Sequence, residues 1–322
     1  MKYCILKNKE KGMERQMKME AEPEKKRKRH FILWVLLIAL GLLLLGTLLG
    51  GMLCIPPRLL FPDMPPMWRF SLMYFMEIGP LLAVLGYVAL AEKELLPLFR
   101  GARRGGIRGN TLKEFGLGIL IGFMMNGACI LAAWLHGNLD FSVGKFYPVY
   151  LLVTFLFVLI QSGSEEMLCR GYLYGALRER YPVWVAVAAN SLLFGVLHLF
   201  NPGVTALSVL NIVLIGVALS LVMVVRESLW MAIAIHTMWN FTQSILFGLP
   251  NSGIVSEGSF LHLEAASGSL FYDAAFGVEG ALSALVVELA LCGWLFLAAR
   301  KKTAANAACE TALDRMDAKK SE

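Results

Sequence analysis

Apolar residues in this chain neither alternate with polar ones nor keep to one face of otherwise polar helices. They gather into runs of about 20, the length an α-helix needs to cross a bilayer. The first run, Phe31 to Ile55, ends at "PPR" and is longer than the ~7–15 apolar residues of a signal-peptide core, so it is expected to remain as a helix. Further runs at about 70–91, 115–135, 150–177, 183–200, 204–225, 229–249 and 275–299 bring the expected spans to eight. The chain reads as an all-α polytopic membrane protein with a membrane domain over 31–299. A polar segment, 1–30, precedes it and ends in the basic cluster "KKRKRH" (Lys25 to His30); a tail, 300–322, follows.

Composition agrees with this reading. Of 322 residues, 57% are hydrophobic and 17% charged, where a soluble domain has roughly 45–50% and about 25%. The net charge of +6 does not point to nucleic acid, because the basic residues flank the apolar runs. With the N-terminus inside, Arg58, Arg69 and Lys145 are the only Lys or Arg on external loops. That asymmetry follows the positive-inside rule, so both termini are expected in the cytoplasm. Loop 250–274 is external and carries Glu257, His262, Glu264 and Asp273 without Lys or Arg; it reads as a solvated loop. The six cysteines (Cys4, Cys54, Cys129, Cys169, Cys292, Cys309) are scattered without CxxC pairs and read as packing residues. The pairs Gly46/Gly50 and Gly118/Gly122 permit close helix approach.

Ionisable groups inside the spans need a separate explanation, since each costs at least ~2.5–3.5 kcal/mol at the bilayer centre. In "EEMLCR" (Glu165 to Arg170), Glu166 and Arg170 are four residues apart on one helix face and can pair. Glu165 is rotated ~100° from Glu166 and is left to face another element. "FGVLH" places His198 near the end of the fifth span, with Phe194 one turn earlier. "HTMWN" puts His236 and Asn240 on one face of the seventh. Taken singly, a histidine, an asparagine or an ion pair is ordinary helix–helix glue. Polar burial on three helices, with repeated i, i+4 spacing, points instead to a shared polar cavity. Glu77, Glu279, Glu288 and Asn126 lack such partners and are left outside it.

These three motifs, EExxxR, FxxxH and HxxxN in that order, resemble those of the CAAX protease and bacteriocin-processing family of intramembrane proteases, which includes the type II CAAX prenyl endopeptidases and the Abi proteins. The motif core falls within about 150–249. The resemblance implies that Glu165 activates the attacking water with help from His198, while His236 and Asn240 stabilise the oxyanion. Glu166, Arg170 and Phe194 then support the site. It also implies a lipidated or membrane-embedded peptide or protein substrate and a place in a bacterial plasma membrane. Metal use stays open: Glu165, His198 and His236 have the composition of a zinc site, but HExxH is absent.

Other readings fit less well. "SGSEE" is not the GxSG of a rhomboid-type serine protease, and no span carries an aspartate for an aspartyl protease. A proton-coupled transporter would also bury acids and histidines, but the inverted repeats common to that class are not found. A scaffold that binds a partner such as a sensor kinase is the remaining non-enzymatic alternative.

Overall fold

The computed structural model describes residues 31–318; the cluster Lys25 to His30 and Cys4 lie outside that range. The fold is all-α apart from one small sheet. In chain order the main helices are α1 (Ile32–Leu53), α2 (Ile55–Leu60), α3 (Pro66–Met76), α4 (Ile78–Ala91), α5 (Leu96–Phe99), α6 (Leu112–Leu135), α7 (Pro148–Glu166), α8 (Tyr174–Arg178), α9 (Val183–Leu197), α10 (Ala206–Arg226), α11 (Leu229–Asn240) and α12 (Leu282–Ala318). Six helical stretches among the described residues are long and apolar enough to cross a membrane: Ile32–Leu60, Pro66–Ala91, Leu112–Leu135, Pro148–Arg178, Ala206–Arg226 and Leu282–Ala305. The other two expected spans fall on shorter elements. One is α9; the other is α11 with its π-helical extension Phe241–Leu246.

The helix faces separate as a lipid-embedded bundle requires. On α1, Val35, Ala39, Leu42, Gly46 and Gly50 are buried while Leu37, Leu40, Leu44 and Leu48 are exposed. Small residues on the inner stripe let backbones approach. A Cβ at Gly50 would stand 1.8 Å from the Met76 carbonyl oxygen, and one at Gly46 2.3 Å from Pro80 Cα. Pro80 has no N–H to return to Met76 four residues back, and the helix breaks there, between α3 and α4, at Glu77.

The short helix α11 lies in the interior, packed against α6, α7 and α10. Cβ atoms at Gly118 and Gly122 of α6 would stand 2.7 Å from Ala234 Cβ and 2.4 Å from the Ile235 carbonyl oxygen, so this glycine pair sets how closely α6 approaches α11. The buried start of α11 would leave N–H groups without acceptors. Ser228 Oγ accepts from Met231 N (3.1 Å), and Asn110 Oδ1 accepts from Leu229 N (2.9 Å) and Trp230 N (3.2 Å). Arg226 at the end of α10 donates through Nε to Glu114 Oε2 of α6 (2.9 Å) and through Nη2 to Oε1. These contacts hold α6, α10 and α11 in register.

The structure adds three features to this outline. The loops at 136–147 and 250–274 are not wholly irregular: β1 (Leu139–Val143) pairs antiparallel with β2 (Leu261–Ala266), with an irregularity between Asp140 and Phe141. The apolar, alternating Leu139, Phe141 and Val143 supply that strand pattern. The last helix begins at Leu282 rather than 275, because Gly277 (φ +92°) and a short 3₁₀ turn at Val278–Gly280 precede it. It then runs through to Ala318, so much of the segment expected as a tail is helix, consistent with its alanine-rich composition. Cys54, Cys129 and Cys169 are buried and free.

Candidate active site

Glu165 and Glu166 are the last residues of α7. From Met167 to Leu173 the helix continues with wider π-helical bonding before α8 begins. Such a bulge is frequent at functional sites because it re-aims neighbouring side chains. Glu166 and Arg170 form the ion pair expected from their spacing, with Arg170 Nη1 2.8 Å from Glu166 Oε1 and both side chains wholly buried. Arg170 Nη2 donates to the Gly216 carbonyl oxygen of α10 at 3.0 Å, and its guanidinium carbon sits 4.7 Å from the centre of the Phe194 ring. Phe194 therefore covers the buried cation as well as packing against both histidines, whose ring centroids lie 4.7 Å (His198) and 5.9 Å (His236) away.

Glu165 has a different environment. It lines a cavity of about 360 Å³ together with Phe194, His198, His236 and Asn240, whereas Glu166 and Arg170 stand behind the wall. Its side chain is 25% exposed, and Oε2 lies 3.8 Å from His236 Nε2. Oε1 accepts from Gln161 Nε2 at 2.5 Å, while Oε2 accepts no hydrogen bond from the described residues. The structure thus brings the sequence-predicted residues of three separate helices to one cavity.

The histidine contacts define which ring atoms face that cavity. His198 Nδ1 is 2.8 Å from the Phe194 carbonyl oxygen. A carbonyl can only accept, so Nδ1 carries the hydrogen and the neutral ring has a bare Nε2. His236 Nδ1 is 3.0 Å from Glu166 Oε1, which already receives Arg170, so Nδ1 donates here too. A hydrogen on His236 Nε2 then requires the imidazolium form. Asn240 Nδ2 donates to Gln161 Oε1 at 3.0 Å.

Several cavity residues had no place in the sequence reading. Glu77, Glu279 and Glu288, left outside the site, all line the cavity, as do Gln161 and Asn251. Glu77 accepts from Ser164 Oγ at 3.1 Å, and the Pro80 break carries it to the wall. Glu279 accepts from Trp239 Nε1 (2.9 Å), Ser252 N (2.7 Å) and Ser252 Oγ (2.8 Å). Gln161 was within reach of a helical-spacing argument, since it lies four residues before Glu165. Asn126 stays apart, donating to Gln243 Oε1 at 2.8 Å. Glu165, His198 and His236, whose use as metal ligands the sequence leaves open, all line the cavity; among the described residues no three His, Cys, Asp or Glu side chains are grouped to hold a metal ion.

Comparison with curated proteins and with solved structures returns no match. Residues 147–242, which contain all three motifs, match the family model described as type II CAAX prenyl endopeptidase Rce1-like, and this bears out the resemblance and supports an intramembrane endopeptidase of the CAAX class.

Proposed function

We propose that the chain hydrolyses a peptide bond in a membrane-associated substrate, a prenylated or precursor peptide, with Glu165 as the base that activates water. The observation that carries this reading is the Glu165 carboxylate itself: it lines the cavity with Oε2 beside His236 Nε2 and accepting no hydrogen bond from the described residues, inside the segment that matches the endopeptidase family. In the attack, water passes a proton to Glu165 Oε2 as its oxygen bonds to the scissile carbonyl carbon, and the carbonyl π electrons move onto oxygen. The bare Nε2 of His198 accepts a hydrogen bond from the second water hydrogen, which stays on the oxygen, and so orients the nucleophile. His236, in its imidazolium form with Glu165 and Glu166 as counter-charges, presents Nε2–H to the oxyanion. Asn240 has two amide hydrogens, of which one is committed to Gln161 and the other is available to the same oxygen. When the C–N bond breaks, the proton held by Glu165 goes to the leaving amine. Pre-oriented donors of this kind are usually the largest catalytic contribution, with general-base assistance adding ~10²–10⁴-fold.

Asn240, one turn from His236, is a good hydrogen-bond donor but an uncommon zinc ligand, which favours a glutamate mechanism over one routed through a metal. The test compares peptides released by membranes carrying wild-type protein with those released by membranes carrying Glu165→Gln. Peptide termini present only with the wild type are expected. Identical peptide sets at equal protein levels would overturn the proposal.

A further inference from the structure

A line of side-chain amides joins the proposed base to a carboxylate that the mechanism does not use. Gln161 Nε2 donates to Glu165 Oε1 (2.5 Å), and Gln161 Oε1 accepts from Asn240 Nδ2 (3.0 Å) and from Ser162 Oγ (3.1 Å). Asn240 Oδ1 in turn accepts from Asn251 Nδ2 (3.2 Å), which also donates to Glu279 Oε1 (3.3 Å). Asn251 and Glu279 are buried and lie outside the three motifs, in the 247–260 connection and just before α12.

The line has a sense of direction that the chemistry of its ends imposes. Ionised carboxylates only accept, so each end must receive an N–H. Glu165 takes one from Gln161, which turns the Gln161 oxygen toward Asn240. That oxygen needs the Asn240 NH₂ group, which turns Asn240 Oδ1 toward Asn251. The Asn251 NH₂ group has two hydrogens and serves Asn240 and Glu279 together. Reversing Asn240 would set oxygen against oxygen at Gln161 and nitrogen against nitrogen at Asn251.

We propose that Gln161 and Asn251, anchored by Glu279, are positioning residues that hold the Asn240 NH₂ group toward the reacting carbonyl and Glu165 toward the water. This rests on the proteolytic reading above. Neither residue need touch substrate for this role: Asn251 acts through Asn240, and Gln161 through Asn240 and Glu165 together.

Two measurements test it. In liposomes, on a peptide whose release depends on Glu165, Asn251→Leu should lower kcat by about tenfold, part of the 10²–10³ expected for removing an oxyanion donor outright. KM should be unchanged, and in an Asn240→Ala background Asn251→Leu should have no further effect. A purely structural role would reduce folded protein and leave the turnover of the folded fraction intact. It would also act equally in both backgrounds, and either result overturns the proposal. The second measurement needs no substrate. Melting temperatures in nanodiscs are compared for wild type, Gln161→Leu, Asn251→Leu and the double variant, whose mutated residues both hydrogen-bond to Asn240. A double variant that loses less than the sum of the two single losses supports a connected line; strict additivity overturns it. A wild-type protein that cleaves nothing refutes the proteolytic reading, and the melting cycle then judges the line by itself.

Discussion

Replacing Arg170 with alanine tests whether the first motif separates structure from chemistry. Arg170 and Glu166 are both inaccessible to solvent, and the guanidinium makes three distinct contacts: Glu166 at 2.8 Å, the Gly216 carbonyl at 3.0 Å and the Phe194 ring at 4.7 Å. Removing one partner of a buried pair costs ~3–5 kcal/mol, because the other charge is stranded. His236 Nδ1 still reaches Glu166 at 3.0 Å, which draws the loss toward the lower end of that range. Loss of the desolvated cation over Phe194 adds up to ~2 kcal/mol. A net loss of ~4 kcal/mol is about three decades in the folded-to-unfolded ratio. Fluorescence-detected size-exclusion profiles after stepwise heating in detergent would measure it, with Arg170→Lys falling between alanine and wild type. An ammonium cannot fork to both Glu166 and Gly216 as the planar guanidinium does. Glu165→Gln retains its volume and leaves His236 its 3.0 Å partner Glu166, so it should melt close to wild type while losing cleavage. Wild-type melting for Arg170→Ala would refute the reasoning.

Other consequences are open to measurement. Reporter fusions after residues 62, 140 and 260 should read outside and those after 105 and 315 inside; a cytoplasmic signal at 260 would break the eight-span arrangement. Gly122→Leu should sharply reduce folded protein, because its Cβ would meet the Ile235 carbonyl at 2.4 Å, whereas Gly116→Ala, with nothing within 4 Å, should yield normal amounts. Purified enzyme should keep its turnover in chelator, and His236→Ala should lower kcat by ~10²–10³ with KM little changed. One stoichiometric zinc per chain, lost in His198→Ala, would contradict the metal-free mechanism.

What the sequence discloses follows the range of each interaction. Runs of apolar residues and i, i+4 spacing are local, so the long helices, the Glu166–Arg170 pair and the glycine contacts can all be read without a structure. The strands could be suspected from the alternation in "LDFSV", but their pairing joins residues 139–143 to 261–266 and depends on how the helices between them pack. The acids divide in the same way. Glu165 is identifiable because its neighbours are in the same motif, whereas Glu77 reaches the cavity only through the break before Pro80. Glu279 is harder still. Its neighbours in the chain are Val278 and Gly280, and its role depends on Trp239, Asn251 and Ser252, brought to it from α11 and the turn beyond. Nothing local separates such a carboxylate from one that merely lines the bundle. Its burial alone would mark it as costly, and its acceptor positions are filled by Trp239, Ser252 and Asn251, of which Asn251 also donates to Asn240. A motif therefore records groups that are neighbours along one helix, while many of the groups that orient them are scattered wherever the fold brings a donor or acceptor within about 3 Å.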